Sequence, residues 1–145
     1  MIHYVKGDIF ESNAQVIVNP VNTAGVMGKG LALAFKNKYP HMFYIYKKAC
    51  DRKFFDIGNL ILVEDNERQI LLFPTKKDWR NPSSLEYIEI GLKEFLEGYR
   101  INNITSIAFP SLGCGCGGLK WEDVKSLMEK YLGQLTIDIY IYEPT

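Results

Sequence analysis

The chain is poor in the residues from which metal centres and disulfide frameworks are built: three cysteines and two histidines in 145 residues. An odd cysteine count does not suggest a disulfide framework. Cys114 and Cys116 form a C-x-C whose only other soft companions are Cys50, His3 and His41, so a closed zinc site has little support, and neither metal nor cofactor is expected. No apolar run is long enough to span a bilayer, and Met1-Ile2-His3-Tyr4-Val5 enters a strand-like pattern without a charged leader, so the reading is a cytoplasmic protein with no membrane partner. Net charge is missing too. Seventeen basic residues balance seventeen acidic ones, which argues against a wholesale polyanion binder. The distribution is uneven, however: Lys29, Lys36, Lys38, Lys47, Lys48, Arg52 and Lys53 meet only Asp51 between positions 29 and 53. That leaves either one basic face or a pair of solvated helix faces. There is no repeat, low-complexity segment or linker, and 47% hydrophobic residues suit one domain over 1–145 with a substantial core.

What the chain does have is glycine in two concentrated places. The first is Asn22-Thr23-Ala24-Gly25-Val26-Met27-Gly28-Lys29-Gly30, following the apolar run Ala14 to Asn19 and Pro20 and opening an apolar-periodic segment. A β-branched run, a proline that cannot extend a sheet ladder, and three glycines before a helix read as strand, loop, helix. Glycines let backbone N–H groups approach an anion, and a helix N-terminus adds unpaired donors, so a phosphate or diphosphate is the natural guest. The spacing is neither a P-loop nor a dinucleotide fingerprint, because two residues separate Gly25 from Gly28 and Gly30 follows Lys29 directly. A packing turn without a ligand is the plainer alternative.

The rest of the chain alternates strand and helix. Strands are expected at Ile2–Lys6, Ala14–Asn19, Leu60–Val63, Gln69–Phe73, Ser106–Phe109 and Ile137–Tyr142. Helices are expected at about 30–38, from Pro40 to about Cys50, from a Ser83-Ser84-Leu85-Glu86 capping box to about Arg100, and along Trp121, Val124, Met128 and Leu132. Glu64-Asp65-Asn66-Glu67-Arg68 reads as the turn of a hairpin, which places an antiparallel pair in an otherwise α/β sheet. Three apolar runs end alike, in Val18-Asn19-Pro20, Leu72-Phe73-Pro74 and Ala108-Phe109-Pro110. Ligands of open α/β sheets bind beyond the carboxyl ends of strands, so three parallel neighbours would gather the loops from Asn22, Thr75 and Ser111 around one cleft, with Lys76 beside two anion cradles.

Gly7-Asp8-Ile9, Val18-Asn19-Pro20-Val21-Asn22, the Gly25–Gly30 loop and Pro110-Ser111-Leu112-Gly113-Cys114-Gly115 resemble the macrodomains, which bind ADP-ribose. The resemblance runs end to end and implies a three-layer α/β/α domain with a central mixed β-sheet. Phe73-Pro74-Thr75-Lys76-Lys77-Asp78-Trp79-Arg80 looks most like the branch holding the DNA ADP-ribosyl glycohydrolase antitoxins (DarG) and the terminal ADP-ribose glycohydrolase of animals. Its implied activity is removal of ADP-ribose from a nucleic-acid base, thymine in single-stranded DNA. Its implied partners are ADP-ribose or an ADP-ribosylated substrate, single-stranded DNA, and a cognate ADP-ribosyltransferase toxin.

By this resemblance Asp8 accepts from the adenine amino group with Ile9 beside it, and Asn22 sits near the distal ribose. Gly28, Lys29 and Gly30 meet the diphosphate from one side, and Ser111, Gly113, Cys114, Gly115, Cys116 and Gly117 from the other. Lys76 is the implied nucleophile at the anomeric carbon; a simple phosphate pair is its blander role. An amine attacks only when desolvation or a neighbouring cation lowers its pKa, and Lys77 and Arg80 are near in sequence. Trp79 and Arg80 suggest a ring to stack a base and a cation for its phosphate, or equally a Trp packed on the following helix. Asp8 also suits a turn, and Asn22 an Asx turn. The animal branch has an acidic residue where this chain has Gly117, which leaves the general acid unassigned. An ADP-ribose 1″-phosphate phosphatase, a hydrolase of ADP-ribosylated protein glutamate, and a non-catalytic ADP-ribose reader therefore stay open.

Overall fold

The structure is a computed structural model that describes all 145 residues. In chain order the elements are β1 (Ile2–Val5), a 3₁₀ turn (Ile9–Glu11), β2 (Val16–Asn22), α1 (Gly30–Lys38), α2 (Pro40–Asp51), β3 (Ile61–Asp65), β4 (Arg68–Lys76), α3 (Leu85–Gly98), β5 (Ser106–Phe109), α4 (Trp121–Leu132) and β6 (Asp138–Tyr142). The six strands form one mixed sheet in the order β1-β6-β5-β2-β4-β3. Every pair is parallel except the β3–β4 hairpin.

The period of two along the strands sorts the core into halves. Val16, Val18, Leu71 and Phe73 point to one face and pack with Leu92, Phe95, Val124 and Met128 of α3 and α4. Ile17, Val21, Ile70 and Leu72 point to the other and pack with Phe35, Met42 and Tyr46 of α1 and α2. Both faces are covered, giving the expected three layers. No helix is long and apolar enough to cross a membrane.

Local details depart from the sequence expectations for identifiable reasons. β2 runs through Pro20 to Asn22, with Pro20 paired opposite Phe73 of β4. The β5 ladder ends at Ile17, so Pro20 lies where one flank of β2 has no partner, and its missing N–H is tolerated there. The hairpin closes through Asn66 and Glu67 alone, both at positive φ (51° and 63°), the requirement of a tight two-residue turn matched to strand twist. α3 stops at Gly98 rather than Arg100, where the Asn102 side-chain amide donates to the Gly98 carbonyl at 3.0 Å.

The expected Ser83–Glu86 capping box does not form. Ser84 is the residue before the first helical turn and its side chain makes no cap bond. Ser83 is buried instead, with its Oγ 3.3 Å from Thr75 Oγ1 and its backbone N–H donating to the Gly117 carbonyl at 2.9 Å. The serine that looks like a cap belongs to the site.

Candidate functional site

β5, β2 and β4 lie side by side and parallel, so the loops after them meet at one sheet edge. Between them is a cleft of about 250 Å³. Asn22, Gly28, Lys29 and Gly30 line it from the first loop; Lys76 and Trp79 from the β4 end; Ser111, Gly113, Gly115, Cys116 and Gly117 from the second loop. Thr75 and Ser83 lie on its floor side, and no aspartate, glutamate or histidine is among the lining residues.

The first loop is braced from below. Asn22 Oδ1 accepts from the backbone N–H groups of Ala24 (3.0 Å) and Val26 (3.4 Å), and its Nδ2 donates to the Val26 carbonyl at 2.7 Å. The Tyr46 hydroxyl, fully buried, is 2.7 Å from the same Oδ1 and 2.9 Å from the Asn22 carbonyl oxygen. Burial pushes this hydroxyl well above its ordinary ionisation range, so it remains a donor at any working pH. Met27 is buried under the loop with its sulfur 3.8 Å from the Asn19 amide nitrogen. The backbone N–H groups of Gly28, Lys29 and Gly30 have no acceptor in the protein. They lead into α1, with Lys29 at its N-cap and Gly30 its first residue, where unpaired donors and the helix dipole favour an anion.

The second loop presents a matching set. The N–H groups of Gly115, Cys116 and Gly117 also lack protein acceptors, while the loop closes on itself through Cys114 N–H to Ser111 O (3.2 Å) and Leu119 N–H to Gly113 O (2.9 Å). Gly117 is required by close approach. A Cβ there would collide with Ser83 Oγ and with the Gly113 carbonyl oxygen. An acidic side chain at that point would need Ser83 and the Gly113 carbonyl to move. The two loops nearly touch at Gly30, where φ is +56° and a Cβ would come within 3.2 Å of Cys116 Sγ.

Lys76, half-buried, stands in register with Asn22 across the β2–β4 ladder, and its Nζ lies 3.4 Å from the Trp79 carbonyl oxygen. Thr23 N–H donates to the Lys76 carbonyl (3.1 Å) and Thr23 Oγ1 to the Lys77 carbonyl (3.2 Å), tying the first loop to the end of β4. Asp78 and Arg80 occupy each other. Arg80 Nε and Nη2 meet the two carboxylate oxygens at 2.9 and 2.7 Å, and hydrogen bonds from the Arg80 guanidinium and backbone hold the Asp78 carboxyl at about 2. Arg80 is thereby spoken for by a carboxylate, and Lys77 rests over the Tyr87 ring at 5.9 Å.

Of the residues singled out from sequence, the cleft lining unites Asn22, Gly28, Lys29, Gly30, Lys76, Trp79, Ser111, Gly113, Gly115, Cys116 and Gly117. Trp79 is half exposed at the cleft, not packed away on α3. Asp8, Ile9, Cys114 and Arg80 are outside the lining. Asp8 follows β1 at the same carboxyl edge, and its side chain accepts from Phe10 N–H at 2.9 Å; Ile9 beside it is buried. Cys114 turns its sulfur toward the Leu112 carbonyl (3.6 Å), and burial pushes its thiol up to about 11. Tyr46 and Ser83 were not anticipated. A tyrosine on an otherwise apolar helix stripe was the available signal for Tyr46, since a buried phenol needs a partner for its hydroxyl.

The Macro domain family model matches residues 18–128. The chain is 46% identical over its whole length to a Mycobacterium tuberculosis protein named DNA ADP-ribosyl glycohydrolase, and covers 43% of that relative. It is 40% identical, over 97% of its length, to a Thermosipho africanus DNA ADP-ribosyl transferase–DNA ADP-ribosyl glycohydrolase fusion protein, of which it covers 41%. The chain thus spans about two-fifths of the curated relatives it matches. Among solved structures, the macrodomain of M. tuberculosis DarG is similar with a TM-score of 0.96 at 45% identity, covering 100% of this chain and 99% of that one. T. africanus DarTG in complex with ADP-ribose is similar with a TM-score of 0.92 at 41% identity, covering 99% of this chain and 41% of that one. With the three-layer mixed sheet, the cleft at its carboxyl edge and a family match over most of the chain, this protein belongs to the macrodomain family.

Proposed function

We propose that the chain acts as one macrodomain that binds ADP-ribose and hydrolyses its bond to a base of single-stranded DNA, thymine first among them. In the cytoplasm it would reverse the work of a cognate ADP-ribosyltransferase toxin. The observation that carries the reading is the Lys76 amine in a cleft walled by two sets of unpaired backbone donors. Those donors suit a diphosphate, which leaves the distal ribose between Asn22 and Lys76, with Asp8 and Ile9 at the adenine end.

In this mechanism the unprotonated Lys76 amine attacks the anomeric carbon. The new C–N bond forms as the bond to the base breaks, and the base leaves with the electron pair. Water then attacks the same carbon and displaces the amine; ADP-ribose is released, and the proton that the water gives up ends on the departed base anion. The absence of a carboxylate or imidazole from the lining bears on the leaving group. An imide base such as thymine spreads the departing charge over two flanking carbonyls and needs no proton from the protein, whereas an alcohol does. Trp79, half exposed at the rim, offers a ring for that base to stack on.

The same absence favours one second reading, a reader that binds ADP-ribose without turnover. The decisive test compares wild type and Lys76→Ala on three substrates: thymidine-ADP-ribosylated oligonucleotide, glutamate-ADP-ribosylated protein and ADP-ribose 1″-phosphate. Turnover of the oligonucleotide that falls by at least roughly a thousandfold in the variant, with ADP-ribose affinity kept, is the expected result for a lost nucleophile. Binding of ADP-ribose with no cleavage of any substrate would leave the reader.

A further inference from the structure

Charge separates the two helical layers. Residues 29–53 carry seven basic residues and one acidic one, whereas α3 and α4 together carry seven acidic and three basic. The balanced total conceals a basic side and an acidic side on opposite faces of the sheet.

The basic side adjoins the first loop, whose Asn22 and Val26 line the cleft. α2 brings its last turns against the first loop: Tyr46 bonds Asn22, and a Cβ on Gly25 would stand 3.3 Å from Lys47 Cδ and 3.4 Å from Cys50 Cβ. Lys47 is paired with Asp51 at 2.8 Å, but Lys48, Arg52 and Lys53 have no carboxylate within ion-pair distance. Tyr44, Lys48 and Arg52 recur every fourth residue along one exposed stripe, with Lys48 Nζ 5.0 Å above the Tyr44 ring. Directly after the helix the chain holds out Lys53 and then Phe54, which is 73% exposed. A phenylalanine left in water beside three unpaired cations suits a ligand with both phosphates and flat apolar faces.

We infer that the DNA strand flanking the modified base leaves the cleft beside Gly25 and crosses this surface, its phosphates at Lys48, Arg52 and Lys53 and one base on Phe54. This rests on the proposed function for its substrate and adds a second contact region to it. Single-stranded DNA fits better than an acidic protein because the surface adjoins a cleft suited to a nucleotide and combines its cations with exposed rings, Tyr44 under Lys48 and Phe54 after Lys53. The acidic α3–α4 side would repel the same strand.

The test uses an unmodified fluorescent oligodeoxythymidylate of about 15 nucleotides, near the upper site size of single-strand-binding modules. Its binding to the full chain is followed by anisotropy against salt, for wild type, K48Q/R52Q/K53Q and Phe54→Ala. Wild type binds with a salt-dependent affinity. The triple variant loses roughly tenfold or more, and its log–log salt slope falls by about 2, from about 0.7 per lost phosphate contact. Phe54→Ala weakens binding roughly tenfold with little change in slope. Affinity for ADP-ribose and melting temperature stay as in wild type for both. Equal oligonucleotide binding by wild type and triple variant overturns the inference, as does preference for a polyglutamate probe over the oligonucleotide. Hydrolysis separates the two readings. If ADP-ribosylated DNA is not cleaved while the oligonucleotide binds this face, the activity falls and the surface stands; if it is cleaved with unchanged KM by the triple variant, the surface falls and the activity stands.

Discussion

Loop 22–30 is held in shape by side chains, and loop 111–118 by the lack of them. In the first, Asn22 spends both ends of its amide on the loop backbone and Tyr46 reaches up from α2 to hold Asn22. In the second, the shape depends on two backbone closures and on the absence of a Cβ at Gly117, against which Ser83 packs. Both end in the same product, a row of backbone N–H groups with no protein acceptor. The lesson is that an anion cradle can be preorganised by bracing or by close packing, and the two respond differently to substitution.

Gly117→Asp sharpens this contrast most. If the missing acid were simply unused, restoring it would be harmless or helpful. The collision with Ser83 and the Gly113 carbonyl predicts instead that ADP-ribose binding is lost and stability falls by about 2–3 kcal/mol, the scale of forced overpacking. Calorimetric titration with ADP-ribose and a urea melt read both numbers. Native stability with intact affinity would mean the second loop is far looser than its contacts imply.

Tyr46→Phe is the corresponding cut in the first loop, with a smaller effect. It removes one buried hydroxyl and leaves Asn22 Oδ1 to the two backbone N–H groups alone, a loss of about 1–2 kcal/mol. The side chain fills the same space, so the core is kept. ADP-ribose affinity should fall severalfold, and amide exchange should quicken at Val26 and Gly28 but not at Gly115 or Gly117. Equal quickening in both loops would show that they move as one unit, braced and close-packed alike.

How much of this was readable beforehand follows the same division. Three strand ends in proline or asparagine–proline, and two clusters of glycine, placed both loops and Lys76 at one sheet edge, because backbone geometry leaves marks in glycine and proline positions. The braces left fainter ones. Tyr46 occupies a core position on a helix stripe where any large apolar residue would fit the pattern, and Ser83 precedes a Glu by three residues, which imitates a capping box. Long-range partners such as Asn22 with Tyr46, or Ser83 with Gly117, depend on packing between elements, and periodicity does not encode it. Arg80 is a third case: sequence alone offers it as a cation for Lys76, yet its guanidinium is satisfied by Asp78, two residues before it.

Each loop also has a thiol beside it, and alkaline pH provides the gentlest test of the comparison. Cys50 packs under Gly25, and Cys114 lies within the second loop; burial pushes each thiol up to about 11. A folded-state value raised above that of the unfolded chain means the native protein holds the proton more tightly. The associated stability is therefore complete below about 9 and is lost as pH rises toward 11. Wild type should lose stability steadily across that window, and Cys50→Ala and Cys114→Ala should each flatten part of the slope. Amide exchange then assigns the part. Removing the Cys50 titration should steady Gly25 and Val26 at high pH, and removing that of Cys114 should steady Gly113 to Gly117. If both substitutions flatten the slope but neither steadies its own loop, the thiols report global unfolding, and the side-chain braces and the glycine packing belong to one cooperative unit.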